Sequence, residues 1–276
     1  MISPLRYPGG KSDFAPYALN IFQESGFSGL PVVEPFAGSA AIALALLESG
    51  LAPNITLVER DPLIYAFWYS VFNFTDELIV RFQELPITIK TWEDFRHFLL
   101  LESPIGVDLV SLGLAGLFYN RANFSGILNA GPIGGKGQRS KYSIDCRTRK
   151  DEIIPRILAA ASLADGVEVL FGDALEVIWS HSNKSKVFFY IDPPYFSKGE
   201  LLYRHWYKMG DHIALAKSLA SASFPWLLSY DSHHVIQHLY EESHSYTHHL
   251  QYSARSPKRR EELLISNRRL SGLPSD

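Results

Sequence analysis

Cysteine is almost missing: Cys146 stands alone in 276 residues, so no internal disulfide can form and a reducing compartment is the expectation. Apolar runs long enough to cross a bilayer are missing as well. The start "MISPLRYPGG" lacks the apolar core of a signal peptide, so a cytoplasmic chain without a membrane partner is expected. Internal repeats and low-complexity tracts are absent, which removes solenoid and fibrous classes. An excess of either charge is lacking too: 26 Lys and Arg face 29 Asp and Glu, a net charge of -3, so no global field draws in a polyanion. Metal-site patterns are also wanting. His233, His234, His244, His248 and His249 are not set at the i, i+4 spacing of helical ligands and have no cysteine beside them, so no metal is implied.

What is present is the composition of an ordinary globular chain, 46% hydrophobic and 20% charged, long enough for one large domain or one domain with an insertion. Positive charge is concentrated locally in "KGQRSKYSIDCRTRK" (136–150) and "RSPKRR" (255–260), and local fields recruit polyanions even when the total is acidic. "RYPGGKS" (6–12) looks at first like a phosphate cradle. It lacks the leading glycine, having Leu5 there, and too few residues precede it for the strand that aims a P-loop, so a nucleoside triphosphate is not its partner.

Five short apolar runs end in acids or turn residues: "LPVVEPFAG" (30–38), "ITLVERD" (55–61), "VEVLFGDA" (167–174), "VFFYIDPPY" (187–195) and "WLLSYD" (226–231). Each reads as a buried parallel strand, and the intervening helical patterns make the fold α/β. "SYTHHLQYSA" (245–254) and "ELLISN" (262–267) read as an antiparallel hairpin at one edge. From about 75 to 160 the alternation stops. Helical spacing there leads into the glycine-rich, basic "NFSGILNAGPIGGKGQRSKYSIDCRTRK", an insertion whose length suits a function.

In open α/β sheets the ligand lies beyond the strand carboxyl ends. The first strand end offers Glu34, placed to take a ligand amine, and Gly38, where a ligand can approach the backbone. The second offers Glu59, suited to the two hydroxyls of a ribose. The third offers Phe171 and Asp173, a ring to pack on an adenine and a carboxylate for its amine. The set describes an adenosine bearing an amine. At the fourth end, "IDPPYF" (191–196) brings together a carboxylate, a rigidly presented carbonyl and an aromatic ring. Asp192 and the Pro193 carbonyl can each accept one N–H of an exocyclic amine, which localises its lone pair toward an electrophile. Pro194 stiffens the turn, and Tyr195 can stack on a base swung out of its helix. Within the insertion, Arg139, Lys141, Arg147 and Arg149 suit DNA phosphates, while Arg121 and Asn123 suit a guanine and an adenine edge.

"PLRYPGGK", "EPFAGSAAI" and "DPPY" in this order, with a long insertion before the last, resemble the alpha-group DNA N6-adenine methyltransferases of bacteria and phages. The resemblance implies S-adenosylmethionine as cofactor, double-stranded DNA as substrate and a seven-stranded, Rossmann-like methyltransferase sheet with a reversed edge hairpin. It divides the chain into a catalytic domain (1–75 and 161–276) and a mainly helical target-recognition domain (76–160). It implies that Tyr7 and Lys11 hold the methionine end of the cofactor, that Phe36, Gly38 and Ser39 line it, that Glu59 takes its ribose, and that Phe171 and Asp173 hold its adenine. It is compatible with a monomer or weak dimer and with a cognate restriction endonuclease as companion. Ala40 departs from the glycine frequent in the family, and Glu34 and Glu59 from aspartate. Methylation of cytosine N4, RNA adenine or protein glutamine uses similar geometry, and a catalytically dead DNA-binding relative is the non-enzymatic alternative.

Overall fold

The computed structural model describes residues 3–6, 11–250 and 260–273. Its strands are β1 (Val32–Glu34), β2 (Ile55–Glu59), β3 (Val167–Phe171), β4 (Phe188–Ile191), β5 (Trp226–Asp231), β6 (His244–Leu250) and β7 (Arg260–Ser266). They form one sheet in the order β3-β2-β1-β4-β5-β7-β6. β1 to β5 are parallel, whereas β7 runs antiparallel to both β5 and β6. This is the expected mostly parallel sheet with a reversed hairpin at its edge. The chain builds outward from β1 through β2 to β3, then returns to place β4 on the other side of β1. That reversal opens a crevice between the carboxyl ends of β1 and β4.

Helices α1 (Ala15–Glu24), α2 (Ala41–Glu48), α3 (Pro62–Asn73), α4 (Thr75–Glu84), α5 (Ile89–Asp94), α6 (Leu109–Ala122) and α7 (Lys150–Ala161) share one apolar core with one face of the sheet. Helices α8 (Ala174–His181), α10 (Met209–Ala220) and α11 (His234–Leu239) pack on the other, and the one-turn α9 (Gly199–Leu202) follows β4. β4 shows the period of two that feeds both layers: Phe188 and Tyr190 enter the first core, Phe189 and Ile191 the second. Helix α1 lies outside the expected set. The apolar run of β3 predicts a buried strand, but β3 is the sheet's edge and its exposure alternates, with Glu168 and Leu170 outward. The Val-Glu-Val alternation is the signature of that half-buried position.

The helices of the insertion, α4 to α7, join the core of α3 and the sheet. Twelve of the fourteen residues of α6 are buried. Its glycines let it lie directly on α3: a Cβ on Gly113 would stand 2.6 Å from the Ala66 carbonyl oxygen, and one on Gly116 2.6 Å from that of Leu63. Regular structure gives way at 123–149, where the chain holds only a short 3-10 turn at Phe124–Gly126 and a bridge between Asn123 and Pro132.

Candidate active site

The turn after β1 is built by carboxylates that hold backbone, and this explains its shape before any ligand is considered. Glu34 Oε2 accepts from the Ala43 amide at 2.9 Å and so anchors the first turn of α2. Burial, together with the charges of Asp192 and Glu59, pushes the Glu34 carboxyl well above its usual range, against the opposing pull of the Ala43 bond. Glu34 thus braces the turn through Oε2. Ala40, directly before α2, is left-handed at φ 50°, the conformation that glycine adopts without steric cost. Ser39 sits half-buried in the same turn.

Glu59 ends β2 and ties two turns together. Its Oε2 accepts from the Gly38 amide at 3.0 Å and its Oε1 from the Asp61 amide at 2.9 Å. Burial first, then the neighbouring Asp61 charge, raises its pKa to about 7 despite those bonds. The Gly38 carbonyl accepts from Trp68 Nε1 at 2.9 Å, so both backbone groups of this glycine are fixed. Asp61 caps α3 through the Leu63 amide at 2.9 Å. Beyond β3, Asp173 caps α8 through the Leu175 amide at 2.8 Å and pairs with Arg60 at 3.0 Å. Phe171 lies 5.4 Å from the Tyr65 ring and faces a depression that adjoins the main cleft through Asp173 and His205.

These strand ends surround an open cleft lined by Phe36, Gly38, Glu59, Asp173 and Asp192. Its outer wall is Tyr203 to Tyr207, a segment that no sequence motif singles out. Arg204 pins that wall with a buried ion pair to Asp61 at 2.8 Å and bonds to the Leu99 and Leu101 carbonyls at 2.9 and 3.0 Å. Tyr207 packs edge-on against Phe36 at 5.5 Å. The available sign was "LLYRHWY" (201–207), a basic and aromatic cluster soon after "DPPY" with no strand or helix of its own to fill.

Asp192 opens the turn after β4. Its Oδ1 accepts from Ser229 Oγ at 2.8 Å and lies 3.1 Å from Lys11 Nζ. Oδ2 takes no hydrogen bond from the described residues. Burial raises the Asp192 pKa, Lys11 lowers it, and Glu262 raises it again, with a net upward shift. Lys11, 3% exposed, also pairs with Glu262 Oε1 at 3.0 Å and contacts Tyr195 Oη at 3.3 Å. Tyr195 Oη donates to the same Glu262 oxygen at 2.9 Å, and Lys11 Nζ lies 5.2 Å from the centre of the tyrosine ring. The ammonium of Lys11 thus meets carboxylates of the chain itself, whereas the family resemblance implies that it meets a cofactor carboxylate. Glu262, on β7, escapes a reading of the sequence because nothing in "RREELLISN" shows which glutamate turns inward. Asp231, at the end of β5, holds the turn after the motif through the Phe196 and Ser197 amides at 2.8 and 3.0 Å. Pro193 and Pro194 are buried between these supports. A second groove is lined by Tyr195, Ser197, Lys198, Asp231 and Glu262. Tyr7 lies outside the described residues.

The insertion residues divide. Arg139, Lys141, Arg147 and Arg149 are exposed, as binding to DNA requires, although Arg149 also pairs with Glu152. Arg121 and Asn123 are 6% and 0% exposed. Arg121 donates to the Pro4 carbonyl; Asn123 accepts from Trp92 Nε1 at 2.7 Å and donates to the Leu128 carbonyl at 2.7 Å. Neither side chain is presented to a base edge, because each is used to fold the turn after α6.

No curated protein matches the chain at a significant level. Among solved structures, that of a protein from Pyrococcus horikoshii described as a candidate RNA methyltransferase is similar at a TM-score of 0.45 and 10% identity, over 98% of this chain and 87% of that one. The model of D12 class N6 adenine-specific DNA methyltransferases matches residues 7–255, a span that runs from the glycine-rich N-terminal motif past the DPPY turn to the edge hairpin. By that match the chain belongs to the D12 class N6 adenine-specific DNA methyltransferase family.

Proposed function

We propose that the protein transfers a methyl group from S-adenosylmethionine to N6 of an adenine in double-stranded DNA, with the target base turned out of the helix. The observation that carries this reading is the position of Asp192: it lines the cleft formed by the ends of β1, β2 and β3, with one oxygen fixed by Lys11 and Ser229.

The cleft fits the cofactor. Tyr207 Oη, of a cleft-lining residue, is buried without a hydrogen-bond partner, and such an atom calls for a polar ligand; His205 Nε2, also buried there, has Glu102 Oε2 at 4.0 Å. Glu59 would accept the ribose hydroxyls and Asp173 the adenine amine, with Phe171 and Phe36 as apolar surfaces and Gly38 and Ser39 as the backbone floor. S-adenosylmethionine, when bound, supplies a methyl group made electrophilic by its sulfonium. The chain supplies the activation of the amine. Asp192 Oδ2 and the Pro193 carbonyl accept its two N–H groups, which draws nitrogen electron density out of the ring and frees the lone pair. Lys11 and Ser229 keep Asp192 oriented and favour its charged form. Tyr195 lines the second groove and would flank the flipped base.

Incubating the protein with duplex DNA and methyl-labelled cofactor, followed by nucleoside analysis, tests the reading. Label in N6-methyladenine is expected. Label in cytosine or protein, or none, overturns it.

A further inference from the structure

Where the N-terminal segment meets the end of α6, four arginines gather with few carboxylates to balance them. Arg121, 6% exposed, gives one nitrogen to the Pro4 carbonyl, but its Nε is buried without a partner. A terminal guanidinium nitrogen of the half-buried Arg6 is buried and partnerless as well, and so is the hydroxyl of Thr148. Arg147 lies close enough to lower the pKa of Arg6, and Arg156 and Arg6 lower that of Arg121; burial leads in both, and Glu152 opposes it at Arg121. The cluster runs from exposed Arg147, through half-buried Arg6 and Arg156, to buried Arg121.

The arrangement is built rather than slack. The Arg6 amide donates to Asn120 Oδ1 at 2.7 Å and the Arg6 carbonyl accepts from Asn120 Nδ2 at 2.6 Å. The 3-10 turn closes on the same carbonyl: a Cβ on Gly126 would stand 2.3 Å from the Arg6 oxygen. Neighbouring guanidinium groups, buried at Arg121 and half-buried at Arg6, with Glu152 as the carboxylate that acts on Arg121, are unfavourable in the free protein, so a rigid cluster of them asks for a multiply charged acceptor. Phosphate oxygens match the planar donor fork of arginine in number and geometry. Two placements favour a phosphate that belongs to a polymer. Arg6 stands five positions before Lys11, the partner of Asp192, and the exposed Arg139, Lys141 and Arg149 extend the charge along the same insertion.

We infer that Arg6 and Arg121, with the exposed Arg147 near Arg6, form a site for one backbone phosphate of the bound DNA strand. The inference rests on the proposed action on DNA and adds to it a residue-level anchor.

The test compares wild type with Arg6→Gln, whose backbone bonds to Asn120 are kept, and with Arg121→Lys, which keeps charge but not the fork. DNA affinity is measured against salt, thermal stability without DNA, and affinity for duplexes in which single phosphates are replaced by neutral methylphosphonates. Arg6→Gln is expected to weaken DNA binding by roughly tenfold or more and to lower the slope of log affinity against log salt by about one, while its Tm without DNA is unchanged or higher. One methylphosphonate position should weaken the wild type by a similar factor and leave Arg6→Gln unaffected. Arg121→Lys should lie between the two. If the wild type binds and methylates DNA while Arg6→Gln only lowers Tm and leaves affinity unchanged, the arginines are structural and the site is overturned alone. Binding of inorganic phosphate that Arg6→Gln abolishes, again with unchanged DNA affinity, marks a free-anion site and overturns the DNA source. A wild type that neither binds nor methylates DNA overturns the proposed function and this site with it.

Discussion

Asp192 has to accept from an amine that gives up electron density only as it is methylated, so its contribution is largest in the transition state. Asp192→Ala should therefore nearly abolish methyl transfer while DNA binding stays within a few-fold; a loss of binding as severe as the loss of rate would remove the carboxylate from this role. Tyr195 calls for two variants, because its ring and its hydroxyl do different work. The sequence suggests a stacking face, and a stacked ring contributes about 1–3 kcal/mol. The structure adds that Tyr195 Oη bridges Lys11 and Glu262, the pair that stands behind Asp192. Tyr195→Phe should lose about tenfold in rate, the equivalent of about one hydrogen bond to a charged group, on paired and mismatched targets alike. Tyr195→Ala should lose more, and part of that loss should return when the target adenine is mismatched, since an unpaired base is easier to turn out. Single-turnover rates on both duplexes, with 2-aminopurine fluorescence reporting base flipping, separate the two roles. Equal rescue of both variants by the mismatch would show that the hydroxyl acts only through the position of the base.

Between elements, the same carboxylate that lines the cleft also joins its walls. Glu59 links the turn before α2 to the start of α3, and its pKa rises from 4.5 to about 7. A raised carboxyl pKa means that the folded protein holds a proton the unfolded chain has released. This contribution to stability is complete below pH 4.5 and is lost as pH climbs through 7. Cofactor-free protein should lose about 3 kcal/mol from this group across that window, and Glu59→Gln should flatten the fall in urea unfolding measured at pH 5 and pH 7.5. Glu34, also raised, slopes the same way, so the difference between the two proteins is the readout. The helix pair α3 and α6 gives a second check at this scale. A methyl group on Gly116 would enter the Leu63 carbonyl, and Gly116→Ala should cost about 1–3 kcal/mol by overpacking, seen as a lower denaturation midpoint at unchanged m-value. Gly116 and Gly113 also mark what the sequence could and could not show. The five parallel strands announced themselves because apolar runs ending in turn residues leave little else to be, and the DPPY turn could be placed at a strand end for the same reason. That α6 lies flush on α3, making the insertion's helices part of the main core, depends on which face of a nearly all-apolar helix carries the glycines. The partners of Lys11 and Arg121 were equally out of reach. A lysine in a glycine-rich turn points to an anion, but only the antiparallel pairing of β7 with β5 decides that Glu262 supplies it.

At the scale of the whole molecule, a chain of net charge -3 must hold a polyanion with a local surface. The exposed cations Arg139, Lys141, Arg147 and Arg149 lie in one stretch of irregular chain after α6. That stretch is fixed at one end by Asn123, which bonds to Trp92 and Leu128, and at the other by α7, whose first residue, Lys150, donates to the Gln83 and Leu85 carbonyls at 2.8 and 2.7 Å. Its charge is therefore presented from a set place on the body that carries Asp192. Cations that neutralise phosphates in this way release counterions and carry no sequence information. Replacing Arg139 and Lys141 with glutamine should weaken binding by the same factor for a methylatable duplex and for an unrelated one. The slope of log affinity against log salt should fall by about one for each phosphate that is no longer neutralised. Both substitutions fall on exposed side chains, so the unfolding midpoint should move little. Titrations of the two duplexes across a range of salt concentrations decide the matter. An unchanged slope would free these two residues from the DNA surface, while a weakening confined to the methylatable duplex would move them from the phosphate backbone to the bases.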